Sequence, residues 1–279
     1  MKSLEYIIHG TSSDADAEKI KEDGFIAEEG RATVSADLIM AFKWASNKDK
    51  RKASKSESKV ESGEGGRIVI MRTPDNKTVD YGKDTDIVVD NQDKEVSGFT
   101  SRYQSGRRYL AIYNKGEDQD SEAVIPKEDI LMSIVPTSEL EEKLDELKKK
   151  IKNLEKVNLI EFTEALVEII RNNKDNLVSS GDIIHEVVGN LLVSTIEAEV
   201  MNIVRTVAVD VKRAKGYKIY NKGEDKTEEK DVNVEKLKQE LERYQSIVES
   251  SDFDIGIDSL NRYIKTSIHK LLEELRGSN

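Results

Sequence analysis

The chain has 279 residues, no cysteine and a formal net charge of -11. The length allows one large domain or two ordinary ones, and the lack of cysteine excludes disulfides and thiolate zinc sites. The acidic balance argues against broad electrostatic binding to nucleic acid or anionic membranes, although it permits a local basic site.

The N-terminus lacks a signal-peptide core, and no apolar run approaches the roughly 20 residues of a membrane span. The sequence therefore predicts a cytoplasmic protein, or an effector that is secreted without a classical signal peptide.

The first predicted strand, at residues 6–8, is followed directly by a polar cluster of His9, Gly10, Thr11 and Ser12. Histidine can donate or accept a hydrogen bond, glycine lets a ligand approach the backbone, and two hydroxyls follow. These residue types suit a ligand site at a junction between strand and helix. The alternative is a surface loop whose hydroxyls cap the next helix.

The rest of the N-terminal half is predicted to contain many strands and little helix. Residues 48–66 have almost no large apolar side chains, which predicts a mobile surface loop. Apolar runs and turn signals predict, in chain order, a helix at 13–23 ended by Gly24, a strand at 32–35, a helix from 38 to about 45 capped by Asp37, and strands at 67–71, 86–90, 109–113, 122–126 and 129–135. An α+β domain is therefore expected over residues 1–137.

After Pro136 the pattern becomes that of amphipathic helices. Ser138 and Glu141 have the Ser-x-x-Glu spacing of a capping box. A seam of apolar residues follows at spacings of four and three, formed by Leu140, Leu144, Leu147, Ile151 and Leu154. The seam fits packing within a bundle or dimerisation. Further helices are predicted at 159–171, from 183 to about 214, and in two C-terminal stretches, so residues 138–279 are expected to form an all-α helical bundle.

A segment of seven residues, 112–118, recurs letter for letter at 219–225. Its Asn-Lys-Gly sequence favours a turn, which predicts that both copies lie at strand ends. The flanking residues do not match, so a domain repeat is not indicated.

The sequence offers no support for a metal site. His185 and Glu186 begin like a zincin helix, but the second histidine four residues on is missing. His269 lies between apolar residues of the last helix, as a packing or surface residue does. Neither a phosphate-cradling Gly-Lys-Ser/Thr sequence nor a Gly-x-Ser-x-Gly elbow occurs.

Four short motifs follow one another in the first 137 residues. They are Ile8-His9-Gly10-Thr11, then Val34-Ser35-Ala36-Asp37 with Ala41-Phe42-Lys43-Trp44, then Glu122 before a strand, and last Pro126-Lys127-Glu128-Asp129-Ile130. Their order resembles that of the ADP-ribosyltransferase fold, whose members include the poly(ADP-ribose) polymerases and many bacterial toxins. The resemblance implies two packed sheets, mixed or antiparallel, and NAD as the substrate.

The resemblance also implies roles for the residues of these motifs. Glu122 would be the catalytic carboxylate that stabilises the oxocarbenium-like ribose, with Glu128 as the runner-up. His9 would hydrogen-bond the adenine-side ribose, and the Gly10 backbone would hold the nicotinamide amide. Thr11 would support the ribose or cap the strand end.

An aromatic side chain is expected to stack on the nicotinamide ring. The candidates are Phe42 and Trp44, where the family often has tyrosine, and Ser35 on the preceding strand is expected to line the cofactor site. Arginine-modifying toxins carry Glu or Gln two residues before the catalytic glutamate. Asp120 stands there in this chain, which leaves the acceptor type open.

The expected function is therefore an NAD-dependent ADP-ribosyltransferase that modifies a macromolecular acceptor, a protein rather than a nucleic acid, or that hydrolyses NAD. It would need neither a metal nor a membrane. The alternative is a non-catalytic NAD-binding relic whose helical half serves self-association or partner binding, as the leucine seam suggests. RNA 2'-phosphotransferase chemistry on a related fold is a third option, which the acidic balance disfavours.

Overall fold

The structure is a computed structural model. It describes residues 4–11, 13–27, 34–46, 66–81, 87–91, 94–96, 110–117, 123–176, 183–221 and 232–277. The described residues of segments 1–82, 107–147 and 159–195 form one compact unit, and those of segments 83–106, 148–158 and 196–279 form a second. The domain boundary after residue 137 stays a prediction.

The described residues form strands and helices, and the helices are concentrated after residue 137. The strands are β1 (Tyr6–Thr11), β2 (Phe25–Ala27), β3 (Arg67–Arg72), β4 (Lys77–Tyr81), β5 (Ile87–Asn91), β6 (Lys94–Val96), β7 (Leu110–Asn114), β8 (Ala123–Ile125), β9 (Ile130–Ile134), β10 (Lys174–Asn176) and β11 (Lys218–Asn221). The helices are α1 (Asp14–Asp23), α2 (Leu38–Ala45), α3 (Ser138–Lys152), α4 (Leu159–Asn172), α5 (Ile183–Ala214), α6 (Val234–Glu249) and α7 (Asp258–Arg276).

The main sheet of the first unit is antiparallel, with strand order β1-β3-β9-β10. Its strands β1, β3 and β9 are apolar and buried, and Ile7, Ile8, Ile68 and Ile70 have no exposed surface. Apolar side chains on both faces of a strand require a cover on each side of the sheet. This requirement explains why the first unit has layers on both faces.

One face of the main sheet packs against the two-stranded pairs β2-β8 and β4-β7. The apolar cluster on this face includes Ile7, Phe25, Val69, Leu110, Ala123, Ile125 and Ile130. Two isolated bridges, Ile8 with Ser35 and Val34 with Leu110, tie residues 34–35 to both β1 and β7. On the opposite face α2 lies against β1, because a Cβ atom built on Gly10 would meet α2 atoms.

The second unit combines a small antiparallel sheet, of order β11-β5-β6, with the α6-α7 hairpin. Each helix of the hairpin buries one apolar stripe, as the sequence predicts. In the turn between them, Asp254 accepts hydrogen bonds from the Gly256 N–H at 2.7 Å and from the Asn261 side chain at 2.9 Å. These two bonds stabilise the charged carboxylate and hold the pKa of Asp254 below its usual range. The bond from Asn261 has the larger effect, and the bond from Gly256 follows.

Local signals in the sequence located the first two helices correctly. Ser13 caps α1 by accepting from the Asp16 N–H, and Asp37 caps α2 by accepting from the N–H groups of Ile39 and Met40. The predicted strands at 67–71, 109–113, 122–126 and 129–135 are confirmed within one or two residues at each end, where the chain is described. Most of the predicted loop at 48–66 lies outside the described residues.

Two expectations for the second half were wrong. The hydroxyl that caps α3 belongs to Thr137, which accepts from the Leu140 N–H at 3.3 Å, while Ser138 is the first helical residue. The second half is also not purely helical, because β10 pairs with β9 and β11 pairs with β5. The coarser description, a mixed α/β protein with antiparallel sheets and most helices in the C-terminal half, holds.

The leucine seam of α3 is buried within the chain itself. Leu140, Leu144, Leu147 and Ile151 of α3, and Leu154 just after its end, are each at most 3% exposed. The described residues therefore use this seam for packing within one molecule. Self-association through other helical surfaces stays a prediction.

Helix α5 has the length and apolar composition that a membrane span requires, with a mean hydropathy of 1.4 over an 18-residue window. Of that window, 61% is buried in the protein. A buried core helix meets the same criteria. Both copies of the heptapeptide begin in strands, since residues 112–114 belong to β7 and residues 219–221 to β11, which confirms the strand part of that prediction. Residues 118 and 222–225 lie outside the described residues.

Candidate functional site

The end of β1 brings His9 against the second layer of the first unit. The centroids of the His9 and Phe25 rings lie 4.9 Å apart, with the ring planes inclined at 50°. Phe25 begins β2, and β2 pairs with β8 so that Phe25 faces Ile125 and Ala27 faces Ala123. The strand β2 therefore connects His9 to β8, the strand that starts directly after Glu122.

Glu122 itself, like Asp120 and Ser12, lies outside the described residues. Its neighbour Ala123 is buried and belongs to the same apolar cluster as Ile7 and Phe25. Side chains alternate between the two faces of a strand, so Ile7 shares its face with His9. The strand that follows Glu122 thus packs on the His9 face of β1.

The position that a side chain would occupy on Gly10 is taken by α2. A Cβ atom built on Gly10 would lie 2.4 Å from the carbonyl oxygen of Ala41 and 2.8 Å from Cβ of Trp44. Both distances are shorter than the contacts that real Cβ atoms make, and one of the obstacles is backbone. Any residue other than glycine would push α2 away from β1.

The backbone of Gly10 faces a different direction from its missing side chain. Ile8 exchanges both backbone hydrogen bonds with Ser35, at 2.7 and 2.8 Å. Backbone groups of alternate residues in a strand point to the same side. The N–H and C=O of Gly10 therefore point to the Ser35 side of β1, away from β3, where one donor and one acceptor lie side by side.

Thr11 uses its hydroxyl to shape the start of α1. The hydroxyl donates to the carbonyl of Ser13 at 2.7 Å and accepts from the Ser13 N–H at 3.0 Å. Opposite Thr11 in the sheet stands Arg67, whose Nε donates to Asp14 at 2.6 Å. This geometry favours the capping role for Thr11 among those considered.

Ser35 is completely buried, and its hydroxyl accepts from the Asp37 N–H at 3.0 Å. Asp37 is also completely buried and caps α2. The Ser35 side chain thus helps to set the start of the helix that carries the aromatic candidates, while its backbone extends the β1 edge.

The two aromatic candidates occupy different environments. Phe42 is only 6% exposed and belongs to the core, whereas Trp44 is partly exposed. Trp44 also lies next to Gly10, through its Cβ. The position of Trp44 fits a ligand-stacking ring better than that of Phe42 does.

The other two histidines make surface contacts in the described residues. His185 Nε2 lies 3.6 Å from a Glu164 oxygen, and His269 Nε2 lies 3.3 Å from a Glu273 oxygen. Within the described ranges, no three side chains of His, Asp or Glu gather in a way that could hold a metal ion.

Three residues near the site escaped the sequence analysis. Phe25 was not singled out, because nothing in the local sequence shows that it meets His9. Arg67 was seen as the start of a strand, and its place opposite Thr11 depends on the register of β3. Thr195 of α5, which contacts α2, is too distant in sequence for any motif to have indicated it.

Comparisons of the chain with family models, with curated proteins and with solved structures found no match.

Proposed function

We propose that this protein is an NAD-dependent ADP-ribosyltransferase, with its substrate site at the end of β1, where β2 lies on one face of the sheet and α2 on the other. The single observation that carries the proposal is the link from His9 through Phe25 and β2 to β8, since Glu122 immediately precedes β8. The two predicted catalytic residues are 113 positions apart in sequence, and the fold connects their strands on one face of β1.

In this proposal the bond between nicotinamide and ribose breaks, and nicotinamide leaves with the electron pair. Glu122 stabilises the positive charge that develops on the ribose, and an acceptor nucleophile attacks the anomeric carbon and loses its proton. Water in place of the acceptor gives NAD hydrolysis. His9 holds the cofactor through a ribose hydroxyl.

The Gly10 backbone and the Trp44 ring would bind the nicotinamide end. A carboxamide has one acceptor and two donors. The adjacent N–H and C=O of Gly10 complement that group, and a partly exposed indole beside them offers a flat surface for the ring. The core position of Phe42 assigns it to packing.

The test is to incubate the protein with labelled NAD and a cell lysate, and to measure free nicotinamide and labelled macromolecules. Glu122→Gln is compared with Glu128→Gln, which changes the runner-up carboxylate in the exposed turn after β8. We expect Glu122→Gln to reduce turnover by at least about a hundredfold, the scale of losing one electrostatic catalytic group. Glu128→Gln should retain the wild-type rate.

Several results would contradict parts of this proposal. Full activity of Glu122→Gln would remove that residue from the mechanism, and loss of activity only in Glu128→Gln would transfer the role to Glu128. Absence of both nicotinamide release and labelling, with NAD still raising the melting temperature, would favour the non-catalytic NAD-binding alternative.

A further inference from the structure

The first N–H group of helix α2 donates its hydrogen bond to a residue outside the N-terminal half of the chain. The first N–H groups of any helix lack partners within the helix. In α2 the Ile39 and Met40 N–H groups donate to Asp37 Oδ1, at 2.9 and 3.4 Å. The Leu38 N–H donates instead to Oγ1 of Thr195, in α5, at 2.9 Å.

The geometry of Thr195 shows that its hydroxyl is committed to this contact. The side chain is completely buried, and its O–H donates to the Leu191 carbonyl at 2.8 Å. With its one proton used there, the oxygen can only accept from Leu38. Thr206, on the same helix, makes the equivalent bond to the Asn202 carbonyl at 2.8 Å but is exposed.

The close packing of α2 makes its exact position matter. A Cβ atom built on Gly66 would lie 2.0 Å from the Ala45 carbonyl oxygen, and one on Gly10 would lie 2.4 Å from that of Ala41. Glycines at both places allow α2 to rest directly on the backbone of β1 and β3. A small displacement of α2 therefore moves Trp44 relative to Gly10.

We propose that Thr195 is a positioning residue that fixes α2, and with it Trp44, beside the end of β1, so that the first part of α5 belongs to the candidate NAD site. A second contact supports this role for α5, since the Tyr6 hydroxyl of β1 donates to Glu186 at 2.8 Å. Burial and this carboxylate raise the pKa of Tyr6 well above its usual range, which keeps its hydroxyl protonated as a donor. The part of this inference that concerns NAD binding rests on the proposed function.

The test uses the full chain and three variants. Thr195→Val removes the hydroxyl but keeps the shape, Thr195→Ser keeps the hydroxyl, and Thr206→Val is the matched control on the same helix. Trp44 is the single tryptophan of the chain, so its fluorescence reports on α2 alone. Hydrogen exchange of the Leu38 amide and a titration with NAD complete the measurements.

In Thr195→Val we expect a shifted Trp44 emission maximum, Leu38 exchange that is about tenfold faster, and NAD binding that is about tenfold weaker, the scale of one unpaired buried donor. Thr195→Ser should restore the wild-type emission maximum, and should return the Leu38 exchange rate and the NAD affinity to within about twofold of the wild-type values. Thr206→Val should leave all three quantities unchanged. Thr195→Ala, which also lacks the hydroxyl, replaces the valine variant if that variant does not fold.

A folded Thr195→Val protein with wild-type emission, exchange and NAD affinity would overturn the inference. Altered emission and exchange with unchanged NAD affinity would also overturn it, because α2 would then be held by Thr195 without serving the site. If the wild-type protein binds no NAD, the proposed function fails, and unchanged emission and exchange in Thr195→Val would still refute the positioning of α2.

Discussion

Replacing Gly10 with alanine should destabilise the first compact unit. The new Cβ would lie 2.4 Å from the Ala41 carbonyl oxygen, and real Cβ contacts are essentially never shorter than 3.0 Å. The backbone of α2 must therefore retreat by several tenths of an ångström from a position that the Asp37 cap, the Leu38–Thr195 hydrogen bond and the close approach to Gly66 fix. Such overpacking costs about 1–3 kcal/mol, which lowers a melting temperature by roughly 3–10 °C in a chain of this size.

Trp44 fluorescence is the appropriate assay, because the single tryptophan lies in the unit that the substitution disturbs. Gly189→Ala is the matched control in the same unit. Nothing lies within 4 Å of a Cβ atom built on Gly189, which sits in the interior of α5. Alanine there should stabilise the protein by about 0.5–1 kcal/mol through helix propensity. A Gly10→Ala variant that melts at or above the wild-type temperature would refute the packing argument.

Two further predictions concern the helical half. Thr137→Ala should lower stability by about 1 kcal/mol in thermal or urea unfolding because it removes the α3 cap, whereas Ser138→Ala should change it little; a larger loss for Ser138 would restore the capping box. The pKa of Asp254 is held down by Asn261 and by the Gly256 N–H. Its stabilising contribution is therefore complete above the unfolded value of 3.8 and disappears as the pH falls through the lower folded pKa. Asp254→Asn should reduce the steepness of acid unfolding below about pH 4, and an unchanged acid profile would contradict this assignment.

The sequence predicted the elements whose signals are local. Ser13 and Asp37 cap their helices because a side-chain oxygen needs only the next few N–H groups. At α3 two neighbouring hydroxyls, Thr137 and Ser138, both suit a cap, and the pattern of charged residues could not distinguish them. The choice depends on where the preceding strand ends.

The strands that sequence reasoning missed form through partners far along the chain. Residues 172–176 are polar and resemble a loop, yet β10 forms because β9 offers an edge about 40 residues earlier. For β11 the heptapeptide indicated a strand end, but not the partner, which is β5 more than 120 positions earlier. Polar edge strands carry little periodicity of their own, so only the sheet identifies them.

The candidate site shows the same division between local and distant information. His9, Gly10 and Trp44 were identified from short motifs, and the fold brings Gly10 and Trp44 into contact. Phe25 and Thr195 reach the site from distant segments, Phe25 through the pairing of β2 with β8 and Thr195 through the packing of α5 against α2. A motif can indicate which residue types are available, but their neighbours follow from the register of the strands and the seating of α2.

The packing of Gly10 against α2 is separate from the role in ligand binding that we propose for it. The approach of α2 requires glycine at this position in any protein with this packing, whether or not it binds NAD. A glycine after His9 therefore does not by itself indicate a nicotinamide site. The orientation of its backbone follows from strand geometry, because the hydrogen bonds between Ile8 and Ser35 place the Gly10 N–H and C=O on the side of β1 away from β3. In the proposed function a bound carboxamide would use this donor and acceptor, so the packing of α2 and the binding of nicotinamide place separate requirements on Gly10.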